Sequence, residues 1–210
     1  DRRLRRLYDY LACAPMLAMS GHLDERDHDA VIIKAWPDAD LGGDQSSSKS
    51  TSGRFIELIG PNSRGFPLMW STHTQSATCR NTCEAESVSL RDCMKADAIA
   101  IQEILSLILK RPVRMIVCED NTACITDVNK GYTQALRYVK RTHRLSLGFL
   151  HELFHEPQEH DDGECLLQYN PSGTHKGDFF TKELDSVPTF EEGRKKVYMY
   201  NSKAEFERGD

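Results

Sequence analysis

Three short apolar runs, each bounded by turn-forming residues, dominate the first third of the chain. They predict strands at 31–36, 54–59 and 66–71. The connections are rich in Gly, Ser, Pro and Asn, which favour turns. Because these connections are short, the three strands are expected to form an antiparallel meander.

The following segment changes to helical periodicity. Apolar residues spaced three and four apart predict a long helix that begins at Asn81 or Thr82 and ends near Leu109, before Arg111 and Pro112. Beyond it, the pattern predicts a strand at 115–117, helices at 121–129 and 144–155, a strand at 165–169 and a helix start at 178–184. Strands alternating with helices in this way indicate an α/β domain with a mixed sheet.

Composition narrows the class of protein. The chain has 210 residues, 39% of them hydrophobic and 28% charged, and none of its windows approaches the ~20 apolar residues that span a bilayer. Its start lacks the pattern of a signal peptide. Seven cysteines without a regular spacing indicate reduced thiols, which favours a cytoplasmic or nuclear protein over a secreted one. The net charge of −5 is mildly unfavourable for nucleic-acid binding, although basic residues concentrate at 137–144.

Carboxylates stand where elements of the predicted sheet end. Asp38 follows the first strand, and Asp120 follows the strand at 115–117. If the long helix is a crossover, the two strands are parallel and their carboxyl ends share one edge of the sheet. Two carboxylates there repel each other, so a cation is the simplest explanation. Oxygen ligands favour Mg²⁺ or Mn²⁺ over zinc.

Two further acids can reach the same edge. Glu86 lies in the first turns of the long helix, one turn before Leu90, and Asp178 opens the last predicted helix. A single acid at an element boundary is commonly a solvated residue. Four such acids facing one edge are much less expected by chance.

At this point the sequence resembles a family. Seven segments, in the family's order, resemble the ribonuclease H domain of copia-type (Ty1/copia) LTR retrotransposon polyproteins: AWPDADLGGD (35–44), KSTSGRFIEL (49–58), MWSTHTQSA (69–77), CEAESVSL (83–90), CEDNTACI (118–125), VKRTHR (139–144) and GDFFTKEL (177–184). The resemblance covers roughly 30–187. In addition, 5–15 resembles the helix that links reverse transcriptase to nuclease in such elements.

The resemblance implies a fold, an activity and a division of the chain. The fold is ribonuclease H-like, with a mixed five-stranded sheet of three antiparallel strands and two parallel additions, flanked by helices. Residues 1–29 would be the connection to a preceding reverse transcriptase, 30–187 the nuclease domain, and 188–210 a charged tail. The activity implied is hydrolysis of the RNA strand of RNA–DNA hybrids, in a virus-like particle or the nucleus, beside the polymerase domain of the same polyprotein.

Site residues also follow from the resemblance. It makes Asp38, Glu86, Asp120 and Asp178 the ligands of two Mg²⁺ ions, with Mn²⁺ as a substitute, and leaves Asp40 as an outer or loop residue. In such a site one ion lowers the pKa of the attacking water and the other stabilises the leaving oxygen. His175 is an auxiliary candidate for product release or proton transfer. The candidate substrate contacts are Ser50, Thr51, Asn81, Thr82, Asn121, Arg141 and His143.

Other interpretations remain open. A zinc metalloprotease is one alternative, because His151–Glu152–Leu153–Phe154–His155 matches HExxH. In that motif two histidines one helical turn apart bind zinc, and the glutamate acts as general base. A third histidine at the metzincin spacing is missing, since His160 falls one residue short. The chain could instead be a catalytically silent nucleic-acid-binding or assembly module derived from a retroelement. An integrase or exonuclease on the same fold fits less well, because such enzymes order their acids differently.

Overall fold

The computed structural model describes residues 2–44, 46–76, 78–132, 141–155, 164–184 and 186–208, without the side chains of 2–3, 141–146, 203–204 and 208. The strands, in chain order, are β1 Ala18–Met19, β2 Ile32–Asp44, β3 Lys49–Ile59, β4 Phe66–Thr74, β5 Met115–Glu119, β6 Cys165–Tyr169 and β7 Met199–Tyr200. The helices are α1 Arg2–Cys13, α2 Thr82–Cys93, α3 Ile99–Leu109, α4 Thr122–Lys130, α5 Arg141–His155, α6 Val187–Lys196 and α7 Lys203–Arg208. Among these helices, none has the length and apolar character needed to cross a bilayer.

A five-stranded mixed sheet forms the centre of the molecule. Its strand order is β4-β3-β2-β5-β6, with β2, β3 and β4 antiparallel and β5 and β6 added in parallel. β1 and β7 pair separately as a small antiparallel ribbon. The expected sheet, three antiparallel strands followed by two parallel ones, is confirmed.

The predicted long helix begins and ends where expected, but a π-helical turn divides it into α2 and α3. Asn81 is the N-cap of α2, and its side chain accepts the backbone N–H of Glu84. One π-helical turn, Met94–Ala98, joins α2 to α3, and Lys110 ends the helix in the left-handed conformation. Periodicity alone does not reveal such a turn, because the apolar face continues through it: Leu90, Met94 and Ala98 are all fully buried.

The first strand of the sheet is longer than the pattern predicts. β2 continues to Asp44, so the expectation that Asp38 follows the end of this strand is wrong. Its ladder with β3 carries on past the acid, with Asp38 opposite Gly53. The parallel pairing with β5, in contrast, stops at Ala35 and Val117. Asp38 therefore lies just beyond the parallel part of the sheet, near the end of β5.

The predicted helix start at 178–184 is also wrong. Gly177–Phe180 forms a 3₁₀ turn, and α6 begins only after its N-cap Ser186. Contacts with the sheet explain the difference. The ring of Phe180 stacks on Phe55 at 5.7 Å, and the Phe180 carbonyl accepts the Thr72 hydroxyl at 2.6 Å, so the segment follows the sheet instead of forming an α-helix.

The segments outside 30–187 pack against the sheet domain. Near the start, buried Asp27 accepts hydrogen bonds from Asn62 and Ser63. Near the end, Val197 and Tyr198 are buried in a second core cluster with Trp36, Phe55 and Cys118. The division of the chain at 29 and 187 stays a prediction, and both flanking segments contribute to the packing.

Candidate metal-binding site

Four elements bring the four predicted acids to one side of the sheet. Asp38 comes from β2, Glu86 from the second turn of α2, Asp120 from the residue after β5, and Asp178 from the 3₁₀ turn. Two groups of side chains have potential ligand atoms within 4.8 Å of one another: Asp38 with Glu86 and Asp120, and Asp38 with His175 and Asp178. Asp38 is common to both groups, so it stands where two cations could share a ligand.

Asp38 is held in a closely packed environment. Its side chain is buried, and the Thr181 hydroxyl donates to its Oδ2. The Ser89 hydroxyl of α2 donates to the Asp38 carbonyl at 2.7 Å, which ties the helix to the strand at this residue. Burial raises the pKa of the Asp38 carboxyl, and the charge of Asp178 adds to this rise, although the Thr181 hydrogen bond opposes it. The carboxylate form therefore needs positive charge nearby.

Glycine at position 177 allows this packing. A Cβ there would lie 2.7 Å from the Asp38 Cβ and 2.9 Å from the Trp36 carbonyl oxygen, both closer than real Cβ atoms come. The 3₁₀ turn that carries Asp178 can consequently approach β2 only with glycine at this position.

Glu86 gives the clearest sign that the cluster is built for a cation. It is buried, and one of its carboxylate oxygens has no hydrogen-bond partner among the described residues. Burial, followed by the charges of Glu119, Asp38 and Asp120, raises the pKa of Glu86 to about 11. A buried acid beside other acids is costly without compensation, and oxygen ligands converging in this way suit Mg²⁺ or Mn²⁺. The donor set thus fits divalent cations.

The remaining two acids already have polar partners. The Ser172 hydroxyl donates to Asp120 at 2.6 Å, and the Lys182 ammonium donates to Asp178 at 2.6 Å. Burial alone would lower the pKa of Lys182, but the bond to Asp178 and the charges of Asp38 and Asp120 raise it. Lys182 therefore stays protonated and supplies one positive charge at the edge of the cluster.

Glu119, Thr181 and Lys182 belong to the site and were not singled out from the sequence. Burial raises the pKa of Glu119 to about 8, and one of its oxygens lacks a partner among the described residues. Thr181 and Lys182 lie within the segment GDFFTKEL, three and four residues after Asp178. Their position beside a predicted ligand was the available signal. Glu119 is adjacent to Asp120 and so has the same signal, but a single acid at an element boundary is commonly a solvated residue.

An open cleft of about 510 Å³ lies over the first group of acids, and two of the predicted substrate contacts line it. Thr82 and Asn121 border the cleft together with Asp38, Glu86, Asp120 and Lys182. The Asn121 side chain also caps α4 by accepting the N–H groups of Ala123 and Cys124. A role in substrate binding remains a prediction for both.

The other predicted contacts are arranged differently. Because the strand is predicted at 54–59, Ser50 and Thr51 are expected in the loop before it. That expectation is wrong: β3 begins at Lys49, and its ladder with β2 extends to Asp44. Ser50 is fully buried, and its hydroxyl accepts the Gly42 N–H at 3.4 Å. Asn81 is exposed and engaged as the cap of α2. The side chains of Arg141 and His143 lie outside the described part of the chain.

Asp40 is a strand residue, and the expectation of a loop position is wrong for it too. It pairs with Thr51 in β2–β3 and, two residues after Asp38, lies on the same face of the strand. It borders the same cleft. Within the described chain it joins neither of the two ligand groups.

In the described part of the chain, the HExxH segment has no third metal ligand beside it. His151 and His155 lie on α5 with ring centroids 4.7 Å apart, and His151 Nδ1 is 3.0 Å from the Val128 carbonyl. Among the described residues, no Cys, His, Asp or Glu groups with both of them. A catalytic zinc site generally uses three protein ligands. His160 lies outside the described residues.

Comparisons with known proteins show similarity of fold. No protein-family model matches the chain. It is similar to ribonuclease H1 of the halophilic archaeon Halobacterium salinarum, with 11% identity, 71% of this chain and 93% of that one covered, and a TM-score of 0.43. It is also similar to LC11-RNase H1 in complex with an RNA/DNA hybrid, with 15% identity, 71% of this chain and 93% of that one covered, and a TM-score of 0.43. A third similar structure is the prototype foamy virus protease–reverse transcriptase, with 16% identity and a TM-score of 0.40. The match covers 80% of this chain but only 20% of that one. At these scores the similarity carries no conclusion about activity.

Replacing Glu86 by Gln should stabilise the metal-free protein. The pKa of Glu86 is raised above its ordinary value of 4.5, so above pH 4.5 the folded state holds a proton that the unfolded state releases. This costs stability increasingly as pH rises, and Gln does not titrate. In EDTA at pH 8, we expect E86Q to unfold roughly 2–4 °C above the wild type, corresponding to a gain on the order of 1 kcal/mol. The difference should shrink at pH 5.

Glu84, two residues before Glu86 on the same helix, provides a matched control. The Glu84 carboxylate accepts the Arg80 N–H at 2.8 Å, so E84Q should give no such gain. Thermal unfolding of the three proteins at both pH values makes the comparison. Equal midpoints for E86Q and wild type at pH 8 would show that Glu86 is not under electrostatic strain.

Proposed function

We propose that this chain is an endoribonuclease that hydrolyses the RNA strand of RNA–DNA hybrids with two divalent cations, as part of a retrotransposon reverse transcriptase. The observation that carries the proposal is the pair of ligand groups that share Asp38. Two neighbouring ligand groups that share a carboxylate could hold two cations side by side, which is the arrangement that two-metal sites use for in-line displacement at phosphate. Bound there, the cations would lower the pKa of the attacking water and neutralise the leaving oxygen.

The residues divide the work of holding the cations. Asp38 would contribute to both, Glu86 and Asp120 to one, and Asp178 to the other. The Thr181 hydroxyl and the packing of Gly177 keep the Asp38 carboxylate in place between the two groups. Positioning of this kind is the protein's own contribution to a metal-assisted reaction.

The cleft provides the surface for the substrate. Thr82 and Asn121 at its border offer a hydroxyl and an amide beside the acids, groups that can contact sugar and phosphate oxygens. Recognition of an RNA strand depends on its 2′-hydroxyls and on minor-groove shape more than on bases. The cluster is acidic, so the grip on a hybrid would come largely from the reverse transcriptase domain of the same polyprotein. The activity would operate in a cytoplasmic virus-like particle or in the nucleus.

The decisive experiment uses a hybrid with a labelled RNA strand. In Mg²⁺ we expect the wild type to cut the RNA strand and leave the DNA strand and an all-DNA duplex intact. Asp120→Asn should lose the cleavage because one cation loses a ligand, and EDTA should abolish it in the wild type. Ser172→Ala is a milder control, since it removes only the hydroxyl that donates to Asp120.

Other results would separate the alternatives. A hybrid that binds but is cut in neither Mg²⁺ nor Mn²⁺, with the reverse transcriptase domain present, would contradict the nuclease and support a binding module. Zinc-dependent peptide cleavage that requires Glu152 would support the protease.

A further inference from the structure

His175 occupies a position that the four acids do not explain. Its side chain is buried, with 2% of its surface exposed, and its ring meets the Trp36 ring edge-on at 5.5 Å between centroids. Its Nε2 lies 3.0 Å from the Cys118 carbonyl oxygen. A carbonyl can only accept, so Nε2 carries the proton and donates it. In a neutral imidazole this leaves the lone pair on Nδ1.

The Nδ1 atom is the unused end of this ring. It is buried and has no hydrogen-bond partner among the described residues. An orphaned nitrogen in the interior is costly unless something binds it. Asp38 and Asp178 are the acids that group with His175 within 4.8 Å. The Cβ that Gly177 lacks would also lie 2.8 Å from the His175 ring, so glycine lets the ring and Asp38 approach each other.

We propose that His175 Nδ1 is a direct ligand of the divalent cation held by Asp38 and Asp178, and that this nitrogen makes the site select a transition-metal ion such as Mn²⁺ over Mg²⁺. A ligating histidine generally donates its other N–H to a carbonyl or carboxylate, which fixes the ring and its tautomer. The Cys118 carbonyl is such a partner. The inference rests on the proposed binding of two cations and adds a nitrogen ligand to one of them.

The site has two halves, one for each ligand group, and the nitrogen of His175 gives them different preferences for metal ions. The group of Asp38, Glu86 and Asp120 offers only oxygen, which suits Mg²⁺. Imidazole nitrogen binds first-row transition metals better than the hard Mg²⁺ ion, which takes oxygen ligands and water. The half with His175 is therefore the half at which Mn²⁺ gains over Mg²⁺.

Lys182 is the competing occupant. Its ammonium donates to Asp178 Oδ1 at 2.6 Å and is close enough to Asp38 for the two charges to interact. If this ammonium were the permanent cation of the second half, the protein would bind one metal ion and His175 would have no metal to bind. The number of ions bound distinguishes the two arrangements.

The test measures metal binding without any substrate. Mn²⁺ is titrated by calorimetry into the metal-free full chain and into H175Q, and the loaded proteins are examined by pulsed electron paramagnetic resonance for ¹⁴N coupling to Mn²⁺. Gln retains an amide that can reach the Cys118 carbonyl but has no atom equivalent to Nδ1. H175N is a second variant, because its amide oxygen lies near the position of Nδ1. H151Q is the control variant, because His151 also has a ring nitrogen within hydrogen-bond distance of a backbone carbonyl, that of Val128, but lies outside the two ligand groups.

We expect two Mn²⁺ ions and a ¹⁴N coupling in the wild type and in H151Q. In H175Q, one site should weaken by at least about tenfold, the coupling should disappear, and the other site should keep its affinity. H175N should retain the second ion without the coupling and with a smaller preference for Mn²⁺ over Mg²⁺. Unfolding midpoints in EDTA check that the variants are folded.

Two results would overturn the inference. Two Mn²⁺ sites with unchanged affinity in H175Q and no ¹⁴N coupling in the wild type would leave the two-cation nuclease intact and exclude His175 as a ligand. A single Mn²⁺ in the wild type would favour Lys182 as the second cation. Failure of the nuclease itself is a separate result, since it appears as absent cleavage of the RNA–DNA hybrid.

Discussion

Asp38→Asn should abolish binding of both proposed divalent cations and lower hybrid cleavage further than any other single change in the site. Asp38 belongs to both ligand groups, whereas Glu86, Asp120 and Asp178 each belong to one. Changes outside the ligand shell of metal enzymes alone cost about 10–100-fold, so loss of a shared ligand should cost at least about 100-fold. Calorimetry with Mn²⁺ and cleavage of a labelled hybrid measure the two effects.

Asp40→Asn is the matched control. Asp40 lies on the same strand, faces the same cleft and carries the same charge, but groups with neither set of ligands in the described chain. If the cluster acted only through its overall negative charge, D38N and D40N would have similar effects. We expect D40N to retain both ions and most of the activity. Equal losses in the two variants would contradict a specific role for Asp38.

Periodicity predicted most of the fold because most elements follow simple burial rules. β6 was predicted at 165–169 and found at Cys165–Tyr169, and the helix predicted at 121–129 is found as α4 at Thr122–Lys130. The deviations arise from contacts distant in sequence. Phe180 packs on Phe55, 125 positions earlier, and so the segment after Gly177 forms a 3₁₀ turn. Such a contact leaves no periodic signal in the segment itself.

The site was predictable to the extent that its chemistry is carried by acids at element ends. Asp38 and Asp120 converge as expected, because the parallel ladder of β2 and β5 stops just before both acids. Glu86 joins them from the second turn of α2. The tautomer of His175 was not predictable, since it depends on the Cys118 carbonyl, 57 residues away. The contact between the Lys182 ammonium and Asp178 was not predictable either, because nothing in the TKEL segment distinguishes Lys182 from a solvated surface lysine.

A buried polar network supports the turn that carries His175 and Asp178. The Glu57 carboxylate, near the end of β3, accepts the Trp36 indole N–H at 2.8 Å, the Lys176 ammonium at 2.7 Å and the Tyr198 hydroxyl. Lys176 also lies 4.2 Å from the centroid of the Tyr198 ring. Burial lowers the pKa of Lys176, while the charge of Glu57 opposes the shift. The ion pair thus joins the sheet, the turn and the C-terminal segment.

Lys176→Met should consequently be among the most destabilising single substitutions in the chain. It leaves the Glu57 carboxylate, with 1% of its side chain exposed, without its countercharge. Breaking a buried pair from one side costs about 3–5 kcal/mol. We expect a loss of this size in the free energy of unfolding, measured by urea denaturation, and at least about a 6 °C fall in the unfolding midpoint.

Two controls test whether the loss of stability comes from the unpaired buried charge of Glu57 or from removing any basic side chain. Arg114 and Glu164 form a pair at 3.0 Å with side chains 49% and 58% exposed, so R114A should change stability by no more than about 0.5 kcal/mol. Adding E57Q to K176M should recover part of the loss, because no buried charge is left. The amide oxygen of Gln can still accept the Trp36 N–H, and its NH2 group can donate to the Tyr198 hydroxyl oxygen. If K176M and R114A were equally mild, the turn that carries His175 and Asp178 would be held by packing of Phe179 and Phe180 alone.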